Sequence, residues 1–100
     1  MSEVFTGKHE GTLEVSKSLI LRGMVIGNLV AASGADIVLH GMVTGDLEVQ
    51  DGASVVLYGM VNGHTYVDGS VRIYGRTTSV TKRSDAASVF IDPKAIIGDE

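Results

Sequence analysis

The sequence predicts an all-β chain wound as a three-sided single-stranded β-helix (a β-solenoid) of about six rungs of 16–18 residues. Three observations carry this: a recurring glycine pair, an in–out alternation of side-chain type, and an aliphatic residue at every sixth position. Each is what a repeated unit burying one face of a short strand would leave in a sequence.

The glycine pairs are Gly7 and Gly11, Gly23 and Gly27, Gly41 and Gly45, and Gly59 and Gly63, with Gly75 and Ser79 as a fifth version. Their first members lie 16, 18, 18 and 16 residues apart, a near-fixed period that marks stacked units. Residues 37–49 align over residues 19–31, residues 55–63 continue the series, and residues 71–75 open another unit. Residues 89–98 form a degenerate last unit with Asp92 and Pro93 where the others carry glycine. The expected organisation is a lead-in at 1–6, a solenoid domain at 7–98 and a tail at 99–100, with the main irregular stretch at 81–88.

Within one unit the odd positions are Ile37, Leu39, Gly41, Val43, Gly45, Leu47 and Val49, and the even ones are Val38, His40, Met42, Thr44, Asp46 and Glu48. Period two means an extended strand with one buried face. Over it runs a second rhythm: Leu13, Leu19, Val25, Ala31, Ile37, Val43, Val49, Val55, Val61, Val67 and Ile73 fall every sixth residue. Three sixes make eighteen, so each rung has three short sides with aliphatic residues inside. Gly23, Gly27, Gly41, Gly45, Gly59, Gly63 and Gly75 fall at the joins, where sharp corners need unusual φ values or close packing. A membrane GxxxG helix is interrupted by Arg22, His40 and Asp46, and a β-sandwich would not produce the sixfold register.

Composition narrows the function. One hundred residues make one small domain, and a net charge of -4 argues against nucleic acid, since phosphate binding needs clustered Lys and Arg. The basic pair Lys82 and Arg83 reads as solvated surface. With no cysteine there is no disulfide or thiolate metal site. The N-terminal residues carry no signal-peptide pattern, no stretch reaches the roughly 18 apolar residues of a membrane span, and a cytoplasmic location is expected.

No catalytic, cofactor or metal site is predicted. His9, His40 and His64 fall in different columns and read as solvent-facing. Lys8, His9 and Glu10 are adjacent on a strand, so their side chains alternate faces and cannot converge. Asp46, Glu48, Asp51 and Asp68 are scattered acids rather than a paired-carboxylate site. Six-residue sides also occur in hexapeptide-repeat acyltransferases, whose pattern puts a small residue after each buried aliphatic; here only Ala32 fits well. The threonines form no continuous column of the kind an ice-binding face needs.

What remains is surface. Stacked rungs place equivalent positions about 4.8 Å apart, so outward columns matter more than local motifs. One side is expected to expose a lateral stripe of Ile20, Met24, Val38, Met42, Val56, Tyr58, Met60 and Tyr74, closed by basic residues toward its ends. Such a contiguous apolar stripe is expected to mark an interaction surface, unless one of its columns turns inward at a corner or is covered by a terminal segment. The ends of a solenoid carry unpaired strand edges, and the last unit is apolar, with Val89, Phe90, Ile91, Ile96 and Ile97 as the expected rod-end interface.

The units at 19–36, 37–54 and 55–70, with their Gly-x-Val-x-Gly cores, resemble the bactofilins, a family of polymer-forming bacterial scaffold proteins, over about residues 7–98. The resemblance implies a triangular β-helix that polymerises end to end into non-polar filaments without nucleotide. Bactofilins carry flexible tails and often a membrane-targeting stretch, whereas here the repeats begin by residue 7, so membrane association is not expected. The expected function is therefore a non-enzymatic, self-associating scaffold without cofactors. A small protein-binding module, such as a toxin-neutralising immunity protein, is the alternative.

Overall fold

The computed structural model describes residues 3–98. The expected tail, 99–100, and the first two residues of the lead-in lie outside the described residues. The chain is all-β and winds as a three-sided parallel β-solenoid, without a helix among the described residues and hence without one long and apolar enough to cross a membrane.

The first face stacks β1 (Glu3–Phe5), β4 (Ser18–Leu21), β7 (Asp36–Leu39), β10 (Ser54–Leu57), β12 (Ser70–Ile73) and β14 (Ser88–Ile91) in that order. The second stacks β2 (Lys8–Glu10), β5 (Met24–Ile26), β8 (Met42–Val43), the start of β11 (Met60–Val67), the start of β13 (Arg76–Lys82) and β15 (Ile96–Ile97). The third stacks β3 (Leu13–Val15), β6 (Leu29–Ala31), β9 (Leu47–Val49) and the second halves of β11 and β13. Every pairing is parallel, so six strands on two faces and five on the third make about five turns with the start of a sixth. Glu3–Phe5 pairs with Leu19–Leu21, so part of the expected lead-in is already the first side of the first rung.

The alternation works as the sequence implies. From Val15 to Thr77 the fully buried side chains all carry odd numbers, because successive residues of a strand point to opposite faces and the corners insert even numbers of residues. The sixfold rhythm picks out buried residues too: all eleven of its members are buried except Leu13, which is half-buried in the first rung.

The rhythm is not a set of columns, however. Leu13 pairs with Leu29 rather than Ala31, and Ile73 pairs with Leu57 rather than Val55. The cause is the corner between the third and first faces. In two rungs it is a four-residue turn, Ala32 to Ala35 and Gln50 to Ala53, closed by hydrogen bonds from Ala35 N to Ala32 O (2.9 Å) and Ala53 N to Gln50 O (3.0 Å). Gly52 has φ 86° there, which explains a glycine outside the paired series. In the 16-residue rungs that corner shrinks to Ser16–Lys17 or Asp68–Gly69. Losing two residues leaves the in–out parity intact.

Corner glycines are required mainly by proximity. Of the seven predicted, only Gly27 has positive φ. A Cβ on Gly41 would overlap the carbonyl oxygen of Gly23 one rung below, and Gly59 and Gly75 stand in the same relation to Gly41 and Gly59. The glycines stack into a column along which the backbone passes closest to itself.

Two irregularities mark the C-terminal end. Val61 pairs with Thr77 and His64 with Ser79, three steps on one strand against two on the next. Parity therefore flips: Val80 takes the interior register of Thr65, and Lys82 that of Val67. Thr81 and Lys82, expected in an irregular stretch, belong to β13, and the loop is confined to residues 83–87. At the next corner Asp92 to Ala95 replaces a two-residue join, closed from Ala95 N to Asp92 O (2.9 Å) and from Lys94 N to Asp92 Oδ2 (2.8 Å).

Candidate functional site

The lateral stripe forms as three adjacent outward columns where the first face turns into the second. Val4, Ile20, Val38, Val56, Arg72 and Phe90 follow one another in direct register on the first face. Lys8, Met24, Met42, Met60, Arg76 and Ile96 do so on the second. At the corner between them His40, Tyr58 and Tyr74 stack nearly parallel, with ring centroids 5.0 and 5.2 Å apart, and Phe90 leans on Tyr74 at 5.9 Å. The rung spacing imposes this ladder: side chains at equivalent positions about 4.8 Å apart can only stack or diverge.

Stacking decides what the stripe can do. The three methionines with Ile20, Val38 and Val56 are half-buried, and the ring faces are used up within the ladder. Ring edges and thioethers are what the stripe presents outward. Lys8 and Arg22 flank it toward the first rung, and Arg72 and Arg76 interrupt it one rung before Phe90 and Ile96.

The rod-end set divides. Val89, Ile91 and Ile97 hold the interior register of Val71, Ile73 and Thr77, with no further rung among the described residues. Phe90 and Ile96 face outward and extend the stripe instead. At the opposite end the interior register holds Glu3, Phe5, His9, Leu13 and Val15. Lys8 and Glu10 point outward and approach to 3.5 Å, so Lys8, His9 and Glu10 alternate faces as expected and do not converge. His9 lies edge-on to Phe5 with centroids 6.5 Å apart, its Nε2 3.4 Å from Thr12 O. Beside them a cavity of about 270 Å³ opens between β1 and β3, lined by Phe5, Leu13, Val15 and Leu19, with the Glu3–Lys17 ion pair (2.9 Å) at its rim.

One polar cluster was not legible in the sequence. His64 does not stand alone on the surface: its Nδ1 meets Ser79 Oγ in a short hydrogen bond, its Nε2 lies 2.5 Å from Thr81 Oγ1, and its ring stacks on Tyr66 at 4.6 Å. The His64 N–H donates to Asp46 Oδ1 at 2.9 Å. Beyond Tyr66 the Arg83 guanidinium sits 5.2 Å from the ring centroid and donates to Glu48 (2.9 Å) and Asp68 (2.7 Å). Arg83 is therefore bridged rather than simply solvated. The hydrogen bond to Glu48 holds its pKa above the ordinary value, against a loss of solvation and with further support from Asp68. Only the parity flip brings Ser79 and Thr81 onto the His64 side, which is why no spacing rule finds them.

Ser79 beside an imidazole has the outline of a nucleophile and base, but the group on the other ring nitrogen is the Thr81 hydroxyl. A hydroxyl cannot stabilise an imidazolium as a carboxylate does. The cavity at the first rung and the notch left by the short Asp68–Gly69 corner are both lined by other residues. Among the described residues no three His, Asp or Glu side chains are placed to hold a metal ion. The arrangement pins successive rungs across the bulge.

Comparison of the chain with protein-family models, with curated proteins and with solved structures gives no match.

Proposed function

We propose that this chain is a self-assembling scaffold of bactofilin type, which forms nucleotide-independent oligomers or filaments by stacking the ends of its solenoid. The observation that carries the reading is the last rung: interior-register Ile91 and Ile97 are 44% and 37% exposed, on strand edges that nothing among the described residues covers. An uncovered parallel edge over an apolar cross-section is a template for another rung. Proportions add to it. The molecule measures 30 × 29 × 21 Å, so the two ends are a large share of its surface. A non-enzymatic role in the cytoplasm, without cofactor, nucleic acid or membrane, belongs to the same reading.

The test is electron microscopy and sedimentation of the purified chain without nucleotide. Filaments or large stacked oligomers are expected, and a sharp monomer peak at high concentration would overturn the reading. A second reading, a small protein-binding module such as a toxin-neutralising immunity protein, draws support from the charged first rung. There Glu3 and Lys17, and Lys8 and Glu10, pair and His9 points inward. For that module the monomer peak is the expected result.

A further inference from the structure

We infer that the lateral stripe is a self-complementary docking surface: two copies lie side by side and antiparallel, related by a two-fold axis at the rung of Tyr58. The occupant of the stripe is thus a second copy of this chain. The inference concerns the side of the solenoid and stands apart from how its ends stack.

The corner column supplies the first argument. Arg22, His40, Tyr58, Tyr74 and Asp92 each follow the last residue of a first-face strand. The N–H of each donates to the carbonyl that closes the strand one rung below, on Phe5, Leu21, Leu39, Leu57 and Ile73 in turn, at 2.8 or 2.9 Å. They hold one position on five successive rungs and read as a cation, three stacked rings and an anion. Inverting that column about its centre sets each Arg22 against the partner's Asp92, each His40 against the partner's Tyr74, and Tyr58 against itself. Arg22 is exposed and Asp92 half-buried, and among the described residues neither makes an ion pair within the chain. The Asp92 carboxylate is already fixed, since its Oδ2 accepts the Lys94 N–H (2.8 Å), so little freedom is lost when a guanidinium meets it.

The flanking columns agree. The same inversion lays Phe90 on the partner's Ile20 and Ile96 on its Met24, while Val56 and Met60 each meet themselves. Tyr58, Phe90 and Ile96 are three of the seven large hydrophobic side chains that the described residues expose, and all three meet apolar or aromatic groups in this way. Arg72 and Arg76 fall opposite the partner's Val38 and Met42. There their stems lie along apolar surface and their guanidinium groups reach water at the flanks.

Charge excludes the other arrangements. A parallel pair keeps each rung level and exchanges the flanking columns, so it opposes Arg22 to Arg22, Asp92 to Asp92 and Arg72 to Arg76. An antiparallel pair slid by one rung sets Arg22 against the row of Arg72, Tyr74 and Arg76; slid the other way, Arg22 has no rung opposite it. Like charges set opposite one another select against a pairing more strongly than matched ones favour it. An isologous contact of this kind closes at two copies. A strip three columns wide is small for a dimer interface, so the pair is weak alone and strengthens where several copies engage together.

Because the chain has no cysteine, single thiols report the geometry without background. With a short bifunctional maleimide, Tyr58→Cys is expected to link to itself across the axis. Met60→Cys, on the same rung, repeats the reading with the ring ladder intact. Arg22→Cys and Asp92→Cys are expected to link to each other at least tenfold faster than either links to itself, since their mixed pair keeps one Arg22–Asp92 contact. Val30→Cys, outward on the third face, gives the rate of chance encounter. Arg22→Asp added to Met60→Cys is expected to slow linking about tenfold, and the β circular-dichroism signal checks the folding of every variant. Arg22→Cys linking to itself as fast as to Asp92→Cys overturns the antiparallel pair. Tyr58→Cys and Met60→Cys linking no faster than Val30→Cys overturns the docking surface even if filaments form. The expected pattern supports it even if none do, which separates its failure from that of end stacking.

Discussion

Val67 and Lys82 occupy the same interior position on successive rungs of the third face. The column beneath them is Val15, Ala31 and Val49, so a lysine ends an otherwise aliphatic series. It does so because the strand segment from Thr77 to Ser79 is one residue shorter than that from Val61 to His64, which turns even-numbered residues inward for one side of one rung. The exposed Lys82 thereby stands at the C-terminal end as a charge on an apolar cross-section.

Gly41→Ala is expected to destabilise the chain by about 3 kcal/mol or more, because the new Cβ overlaps backbone rather than a movable side chain. Gly11→Ala, with φ 96° and open space around its Cβ position, is expected to cost only the backbone strain, about 1 kcal/mol. Urea midpoints of the two variants check the order; equal values would mean that φ rather than proximity sets the requirement.

Thr65 and Thr77 are buried with their hydroxyls 2.9 Å apart. Thr65→Val leaves the Thr77 hydroxyl with the more distant Gly63 O (3.5 Å) and Ser79 O (3.4 Å), and a loss of about 1–2 kcal/mol is expected. Replacing both by Val keeps the shape and removes both polar groups, so the double variant is expected to fall within about 1 kcal/mol of wild type. A double-mutant cycle reads the coupling directly.

The short corner at Asp68–Gly69 offers a test of parity. Two residues inserted there lengthen the rung from 16 to 18 and keep every later side chain on its face, so a stability loss below about 1 kcal/mol is expected. One inserted residue must be absorbed by a new bulge or turns β12 inside out, and loss of cooperative unfolding is expected. Thermal melts of the two insertions separate the outcomes.

Val38→Lys with Met42→Lys places two charges in the middle of the lateral stripe, where both native side chains are half-buried and outward. Long lysine stems can lie along the neighbouring columns, so the fold is expected to remain. Side-by-side association is expected to disappear, read as a shift to thinner filaments in micrographs or a smaller species on sizing. Unchanged width and size would show that the stripe is not an interface.

Much of the fold was legible because a solenoid writes its geometry into local spacing. Odd-numbered residues such as Leu39, Val43 and Val49 are buried, Met24, Met42 and Met60 share a column, and Val89, Ile91 and Ile97 end the interior, all as a period-two strand and a repeating glycine require. The sites were less legible. Phe90 and Ile96 lie on the last rung but face outward, so they also extend the stripe. The Ser79–His64–Thr81 contacts depend on a missing residue that no periodicity signals.

The sequence by itself determined the rung, its three sides and, as far as Thr77, which side chains face inward, because parity and period are properties of consecutive residues. Only the tertiary structure decided which residues lie above one another, since a corner of two residues and one of four preserve parity alike but shift every column that follows. It also decided why glycine stands at Gly41, where the nearest obstacle is the carbonyl of Gly23, and that Lys82 and Glu3 flank the same corner at opposite ends. Those relations join residues one rung or a whole molecule apart, and winding alone brings them to one place.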